Sequence, residues 1–525
     1  MRLNTQPVTA LSFCLKPLLV SHKSLIVTSM LLVMVLGCSR PPDPNTVTMV
    51  IESSPANLDP RVGTDAQSER IDELIFDALL RRDDHFNVVP GLAEKWEMPD
   101  PLTYVFHLRY GVRFHDGRAL TSADVKWTFD SLLNGTIRSA KASSYKNVAS
   151  IDAPDDSTVV FHLKAPYVSF PWNVSEGAIG ILPAGSGSEA SRHPIGTGPF
   201  RFVSQEQDKD VLLERNPDYH GAKPKIARVR FTVVPDATTR ILELRKGSAD
   251  VALNAFTADA VETIRRQGEL KVQQTKGTIY AYIGMNLRDP ILREVRVRQA
   301  LAYAIDRESL AKYLWRDEVR LANSILPPQH WAYSTNGTQY PFDPAKARRL
   351  LDQAGYKPAR NGIRFHLVMK TSTEESTRLF AAVLQQQLRD VGIALDLRSF
   401  EAATFLSDIA KGEFQIFSLR WIGGNEDPDI FDFVFNSAKT PPKGSNRGFY
   451  RNPQVDALIA QGVAEADQAK RKRIYAELQK IVAEDLPYIN LWYYDNVLVH
   501  SKRLGDVELS PSGNYNFLKT AALIP

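Results

Sequence analysis

Hydrophobic periodicity is the feature that most restricts this chain. From Thr46 to His500, short segments that alternate apolar and polar residues are interleaved with longer segments whose apolar residues recur every three or four positions. The first pattern lays one face of a strand on a core, and the second lays one face of a helix on it. Interleaving the two predicts α/β layers, with helices packed on sheets. Thr46–Glu52, Thr103–Arg109 and Ser157–Leu163 read as strands, and Ala66–Leu80 reads as a helix with Ile71, Leu74, Ile75, Ala78 and Leu79 on one face. Thr121 precedes a helix start whose Asp124 sits at the positive end of the dipole, and a helix at Asp236–Lys246 is closed by Gly247. The pattern restarts near Tyr280. Strands are expected at Ile279–Met285, Arg364–Lys370, Ile393–Ser399, Phe414–Trp421 and Ile489–His500. Helices are expected at Arg293–Ala304, Arg307–Trp315, Pro344–Ala354, Glu375–Val391 and Asp467–Asp485. No repeat of about 20–50 residues runs through the chain, which excludes a solenoid or propeller.

The first residues do not share this pattern. Residues 1–37 carry Arg2, Lys16 and Lys23 and no acid, and Leu25–Leu36 is apolar except for Thr28 and Ser29. That run is too short for a span, which takes about 20 residues. It has the build of an export signal. Val35-Leu36-Gly37 followed by Cys38 is similar to a bacterial lipobox, whose cysteine takes a diacylglyceryl group and becomes the new N-terminus. Residues 38–45, rich in proline, then read as a tether, and the acyl group would hold the body at a membrane without spanning it. Removing the three cations of the signal takes the formal charge from +4 to about +1. A nearly neutral body is not built for nucleic acid. The two cysteines, Cys14 and Cys38, both precede the body, so it has neither a disulfide framework nor a thiol nucleophile beyond the lipid site.

Catalytic signatures are missing as well. The chain has no GxxxxGK loop, GxSxG elbow or HExxH, and its histidines are not at metal-ligand spacing. A secreted hydrolase would need a nucleophile–base pair that the sequence does not offer. No cofactor is expected. Gly196-Thr197-Gly198-Pro199-Phe200 is glycine-rich, but Pro199 blocks the helix start of a dinucleotide fingerprint. It reads as a tight turn into a strand.

Several segments, in order, resemble one family. Asn57-Leu58-Asp59-Pro60 is similar to its NLDP entry motif, and Pro90 to Trp96 to its P-x-LAexW segment. Phe106 to Arg109 with Gly111 to Gly117 resembles its FhLR-x-GVkFhdG block, continued by Leu120 to Val125. Gly196 to Phe200 matches GTGPF, and Arg215 to Tyr219 matches RNPdY. Val297 to Leu301 with Ala304 to Arg307 resembles VRqALayaIDR, and Trp421 to Asp429 resembles the W-x-x-x-x-x-DPD loop. The family is the extracytoplasmic solute-binding proteins of ABC importers, in the branch for oligopeptides, dipeptides, nickel chelates and some oligosaccharides (family 5).

The resemblance implies a two-lobed periplasmic-binding-protein fold of type II, in its large variant with an extra subdomain in lobe I and a ligand cleft between the lobes. Lobe I is expected at 46–282, with the subdomain at about 85–190, lobe II at 283–494, and a return to lobe I at 495–525. The function implied is that of a lipid-anchored, monomeric receptor in the periplasm. It would capture a peptide by hinge closure and deliver it to an ABC permease, without chemistry. The same architecture also fits an oligosaccharide or another solute, or a sensor or chaperone that presents its ligand.

Two loops at the carboxyl ends of strands are the candidate cleft walls. One carries Glu52, Ser53, Ser54 and Asn57. The other carries Trp421, Gly423, Gly424, Asn425, Glu426 and Asp427. Trp421 offers a stacking face or a core ring, and Asp427-Pro428-Asp429 either faces the cleft or caps a helix. In peptide binders of this family, an aspartate three residues after the tryptophan pairs with the ligand's amino terminus. Gly424 holds that place here, leaving Glu426 or Asp427 to supply a carboxylate. The arginine that clamps a dipeptide's carboxylate falls, by register, at Thr371, beside Lys370.

Overall fold

A computed structural model of the chain describes residues 44–423 and 426–524. The expected signal at 1–37, Cys38 and most of the tether lie outside them, as do Gly424 and Asn425.

Thr46–Ile51 is buried along nearly its whole length, with Val47, Met49 and Ile51 on one face and Thr46, Thr48 and Val50 on the other. It lies inside a seven-stranded sheet, parallel to Arg228–Val233 on one side and to Val251–Leu253 on the other. The sheet runs in the order Lys271–Thr275, Asn496–His500, Val251–Leu253, Thr46–Ile51, Arg228–Val233, Asp210–Arg215, Phe200–Glu206. Val47, Met49 and Ile51 pack on Ile71, Leu74 and Ile75 of the first helix, while Val50 enters a smaller core on the other face.

That helix spans Ala66–Ile75, with the Asp65 carboxylate accepting the Ser68 N–H at 3.0 Å. It stops five residues before the expected end. The Gly198 N–H donates to the Ile75 carbonyl at 2.9 Å, and a Cβ on Gly198 would lie 2.6 Å from that carbonyl carbon. The GTGPF turn therefore sits directly on the helix end. Ala78 and Leu79 continue in extended form, giving their carbonyls to Leu92 and Ala93 at 3.0 and 2.9 Å.

A four-stranded antiparallel sheet follows, in the order Ala93–Asp100, Thr103–Leu108, Thr158–Leu163, Val148–Asp155. The helix Ser122–Leu133 covers it, and its start is closed by the Thr121 N–H on the Asp124 carboxylate at 2.8 Å. Its core is aromatic, with the rings of Phe106, Phe129 and Phe170 each within 6.5 Å of one another or of Phe161.

The third sheet is mixed and six-stranded: Val319–Leu321, Tyr488–Tyr494, Tyr280–Met285, Ile416–Trp421, Phe365–Ser372, Ile393–Phe400. Both faces are covered, one by a core around Ile283, Leu367 and Leu384, the other by one around Tyr282, Phe417 and Tyr488. The segment expected as the single helix Arg307–Trp315 is one turn, Arg307–Ser309, followed by a π-helical turn, Leu310–Leu314. Its bond from the Trp315 N–H to the Leu310 carbonyl is 3.3 Å long.

Two strands carry the chain between the seven- and six-stranded sheets. Residues 276–279 join Lys271–Thr275 to Tyr280–Met285. The strand expected at Ile489–His500 is divided into Tyr488–Tyr494 and Asn496–His500, which belong to different sheets. Asp495 marks the passage. Its carboxylate accepts from Arg320 at 2.6 Å and from Gln274 at 2.9 Å, and Arg320 also donates to the Gly277 carbonyl at 2.7 Å. One arginine thus ties both connections together.

Candidate functional site

Alternation along Ile416–Trp421 sorts its side chains. Phe417, Leu419 and Trp421 join the core around Tyr282, whereas Ser418 and Arg420 fall on the opposite face. Trp421 pairs with Tyr280 across the sheet. Its ring meets Phe433 edge-on at 6.2 Å and lies 5.4 Å from the Arg447 guanidinium. It is a partly buried ring with a cation on one side, and its indole N–H is buried without an acceptor. Gly423 then takes the left-handed conformation at φ +68°, which suits glycine and turns the chain out of the sheet.

The acids after this turn reach the other lobe. Glu426 accepts from the Thr278 hydroxyl at 3.0 Å and pairs with Arg82 at 3.5 Å. Arg82 is fixed in turn by Ser175 at 2.8 Å and by the ring of Trp172, 3.8 Å from its guanidinium carbon. Burial raises the Glu426 pKa, against the pull of Arg82 and Thr278. The backbone carbonyl of Glu426 accepts from His330 Nε2 at 3.0 Å. His330 Nδ1 accepts the Ala332 N–H at 2.9 Å, so this imidazole is neutral with its proton on Nε2. Burial lowers its pKa to about 3.

Asp427 does not itself cap the helix, whose first flanking residue is Asp429. It accepts the Asp429 N–H at 2.8 Å, closing the turn into the short helix Ile430–Phe435. It also accepts from the Ser169 hydroxyl of lobe I at 3.2 Å. Arg471 joins the same cluster, donating to Ser169 at 2.6 Å and pairing with Asp429 at 3.0 Å. Burial, followed by the neighbouring Asp427, pushes Asp429 up to about 7. Glu426 and Asp427 are therefore both engaged by residues far back in the chain, Arg82 and Ser169.

The first wall is simpler. Glu52 and Ser53 are exposed just past the strand Thr46–Ile51. Ser54 accepts the Asp208 N–H at 3.1 Å. The Asn57 side chain accepts the Asp59 N–H at 2.8 Å, within its own turn. Among the described residues, no hydrogen bond or ion pair joins Glu52, Ser53, Ser54 or Asn57 to the loop after Trp421.

The residues at the expected carboxylate clamp are committed elsewhere. Lys370 pairs with Asp408 at 2.6 Å, and the buried Thr371 bonds Ser399 at 3.0 Å. Beside them the sheet face of Arg420 opens on a cleft of about 160 Å³, walled by Phe380, Phe405, Trp492, Tyr494 and Trp315. Glu374 lies at this cleft and pairs with Arg420 at 3.0 Å. Sequence reasoning passed over these residues. The one available signal was Arg420 itself, a charged residue on the Ser418 face of a strand whose other face is apolar. Among the described residues, no helix is long and apolar enough to cross a membrane.

Residues 87–441 match the family model described as bacterial extracellular solute-binding proteins, family 5 Middle. The chain is 30% identical to the glutathione-binding protein GsiB of Pectobacterium atrosepticum, over 89% of its own length and 92% of that protein. It is 28% identical to the dipeptide-binding protein of Escherichia coli K12, over 82% of this chain and 85% of that one. Its fold superposes on the oligopeptide-binding protein AppA of Bacillus subtilis, solved with a nonapeptide, at a TM-score of 0.74 and 26% identity, over 93% of this chain and 100% of that one. An α/β fold built on three larger sheets, with a family-model match through most of the length, places the chain among the bacterial extracellular solute-binding proteins of family 5.

Proposed function

We propose that this protein is the lipid-anchored receptor of an ABC importer that captures peptides outside the cytoplasmic membrane. One observation carries the reading: relatives named for glutathione, dipeptide and oligopeptide binding align with nearly all of this chain. Binding needs no chemistry. Two lobes joined by two strands close on the solute, and the free energy of closure sets affinity and release. Trp421, Gly423 to Asp427, and the Glu52 to Asn57 loop form the proposed walls, where an extended peptide can exchange main-chain hydrogen bonds. Cys38 is the proposed acylation site, the permease the membrane partner, and the receptor acts as a monomer.

Native mass spectrometry of the purified protein tests the proposal. A peptide adduct is expected, either co-purified or taken up from an added mixture, together with a rise in melting temperature. Repeated screens with peptides giving neither adduct nor thermal shift would end the peptide reading, and an oligosaccharide adduct would replace it.

A further inference from the structure

The cleft behind Arg420 has a chemistry of its own. Its walls are Phe380, Phe405, Trp492 and Tyr494, and its volume is about 160 Å³. Apolar cavities of about 150 Å³ accept a benzene ring. The space therefore has room for one aromatic or branched aliphatic side chain, beside the polar Ser372, Ser376, Thr377 and Ser418.

The polar groups at this space are unevenly satisfied. The Glu374 carboxylate accepts from the Ser376 hydroxyl at 2.7 Å, the Thr377 hydroxyl at 3.3 Å and Arg420 at 3.0 Å. These hydroxyls belong to the first turn of the helix Glu375–Arg389, so Glu374 is held in place by its own helix start. Arg420 is bound less completely. A guanidinium carries five N–H donors. This one pairs with a single carboxylate among the described residues and bonds the Tyr494 side chain, whose ring centre is 5.5 Å away, which leaves part of its donor set over. Trp315, brought to the cleft by the π-helical turn, has a buried indole N–H with no acceptor. The spare hydrogen-bonding capacity thus lies with donors, next to an apolar space.

Resting on the reading of the protein as a peptide receptor, we propose that this cleft recognises a carboxylate attached to an apolar residue, the C-terminal residue of a peptide. The apolar side chain packs against the paired rings of Phe380 and Trp492 and against Phe405. The carboxylate takes Arg420 from Glu374, which keeps its two hydroxyl partners. Arg420 is the residue that determines specificity here, and Trp315 supplies a second donor.

Native mass spectrometry and calorimetry of the intact protein, with mixed tri- to hexapeptides as free acids and as C-terminal amides, test this. Free acids are expected to bind about 10- to 100-fold more tightly than amides, the range for a hydrogen bond to a charged group. C-terminal phenylalanine or leucine should be favoured over glycine by about tenfold or more. Arg420→Gln, at a half-exposed position, should keep the melting temperature and lose the preference for acids. Glu374→Gln should strengthen binding of acids, because it removes the competing carboxylate. Amides binding as well as acids, an Arg420→Gln protein that still discriminates, or weaker acid binding by Glu374→Gln would each overturn the proposal while leaving the receptor reading intact. Peptides with free side-chain carboxylates but amidated ends separate the two sources of carboxylate. If these bind and plain acids do not, the C-terminal assignment falls. If neither mixture binds, the receptor reading fails and this subsite fails with it.

Discussion

Replacing Arg82 by alanine should act on closure of the lobes rather than on folding. Arg82 ends the lobe I strand Leu80–Arg82, and its partner Glu426 lies in lobe II, 344 residues along the chain. The variant leaves the buried Glu426 carboxylate with the Thr278 hydroxyl as its remaining side-chain partner. Breaking a fully buried pair costs about 3–5 kcal/mol. The Arg82 side chain is 20% exposed and the contact is 3.5 Å, so about 1–3 kcal/mol is the appropriate range here. The loss falls on the closed form, because Glu426 regains water when the lobes part. At about 1.4 kcal/mol per tenfold, the closed-to-open ratio should fall about 10- to 100-fold, and affinity should fall with it. Small-angle scattering of Arg82→Ala should show a larger radius of gyration than wild type. Calorimetry should show weaker binding of the same peptides. Adding Glu426→Gln should restore much of the loss, since no charge is then stranded. Unchanged scattering and affinity, or losses that simply add in the double variant, would refute the latch.

Three further outcomes follow from the same geometry. Gly198→Ala should cost about 1–3 kcal/mol by overpacking against the Ile75 carbonyl carbon, 2.6 Å from the new Cβ, and an unaltered denaturant midpoint would contradict that contact. Burial raises Asp427 and pushes Asp429 up to about 7; such acids give stabilisation that is complete below the ordinary carboxylate range and is lost as pH rises through about 7. The melting temperature should therefore fall from about pH 6 to about pH 8, Asp429→Asn should flatten the slope, and a flat wild-type profile would count against it. Cys38→Ser should move the protein from the membrane to the soluble fraction and remove a lipid-sized mass, whereas continued membrane association would exclude Cys38 as the anchor.

Strands such as Thr103–Leu108 and Thr158–Leu163 were legible because burial on one face leaves a two-residue alternation. What sequence could not show depended on partners far along the chain. The first helix ends at Ile75 because a turn at Gly196 to Pro199 lands on it. Ile489–His500 reads as one strand because both halves are apolar, and only the Asp495 contact with Arg320 reveals the passage between sheets. The acids of the candidate loop were found, but their partners Arg82, Ser169 and Arg471 carry no local signal. Trp421 drew notice as a large ring, while Arg420 beside it faces the opposite side of the sheet, toward a cleft assembled from Trp315, Phe380 and Trp492.

These placements bear on what tells an empty receptor from a loaded one. A carboxylate reserved for a ligand's ammonium is uncompensated when an empty cleft closes, and that cost holds the lobes apart. In this chain glycine occupies the position of that aspartate. The nearby acids are met by the protein itself: Glu426 by Arg82, and Asp427 and Asp429 by Ser169 and Arg471. Asp427 and Asp429 share Arg471 and stay raised by burial, so closure strands less charge here than a carboxylate with no partner would. The groups left with unmet demand are donors, Arg420 and the Trp315 indole. A ligand that supplies an acceptor to them gains most where water is excluded, in the closed form. If the proposed carboxylate subsite carries charge recognition, blocking a peptide's amine should matter less to binding than amidating its C-terminus.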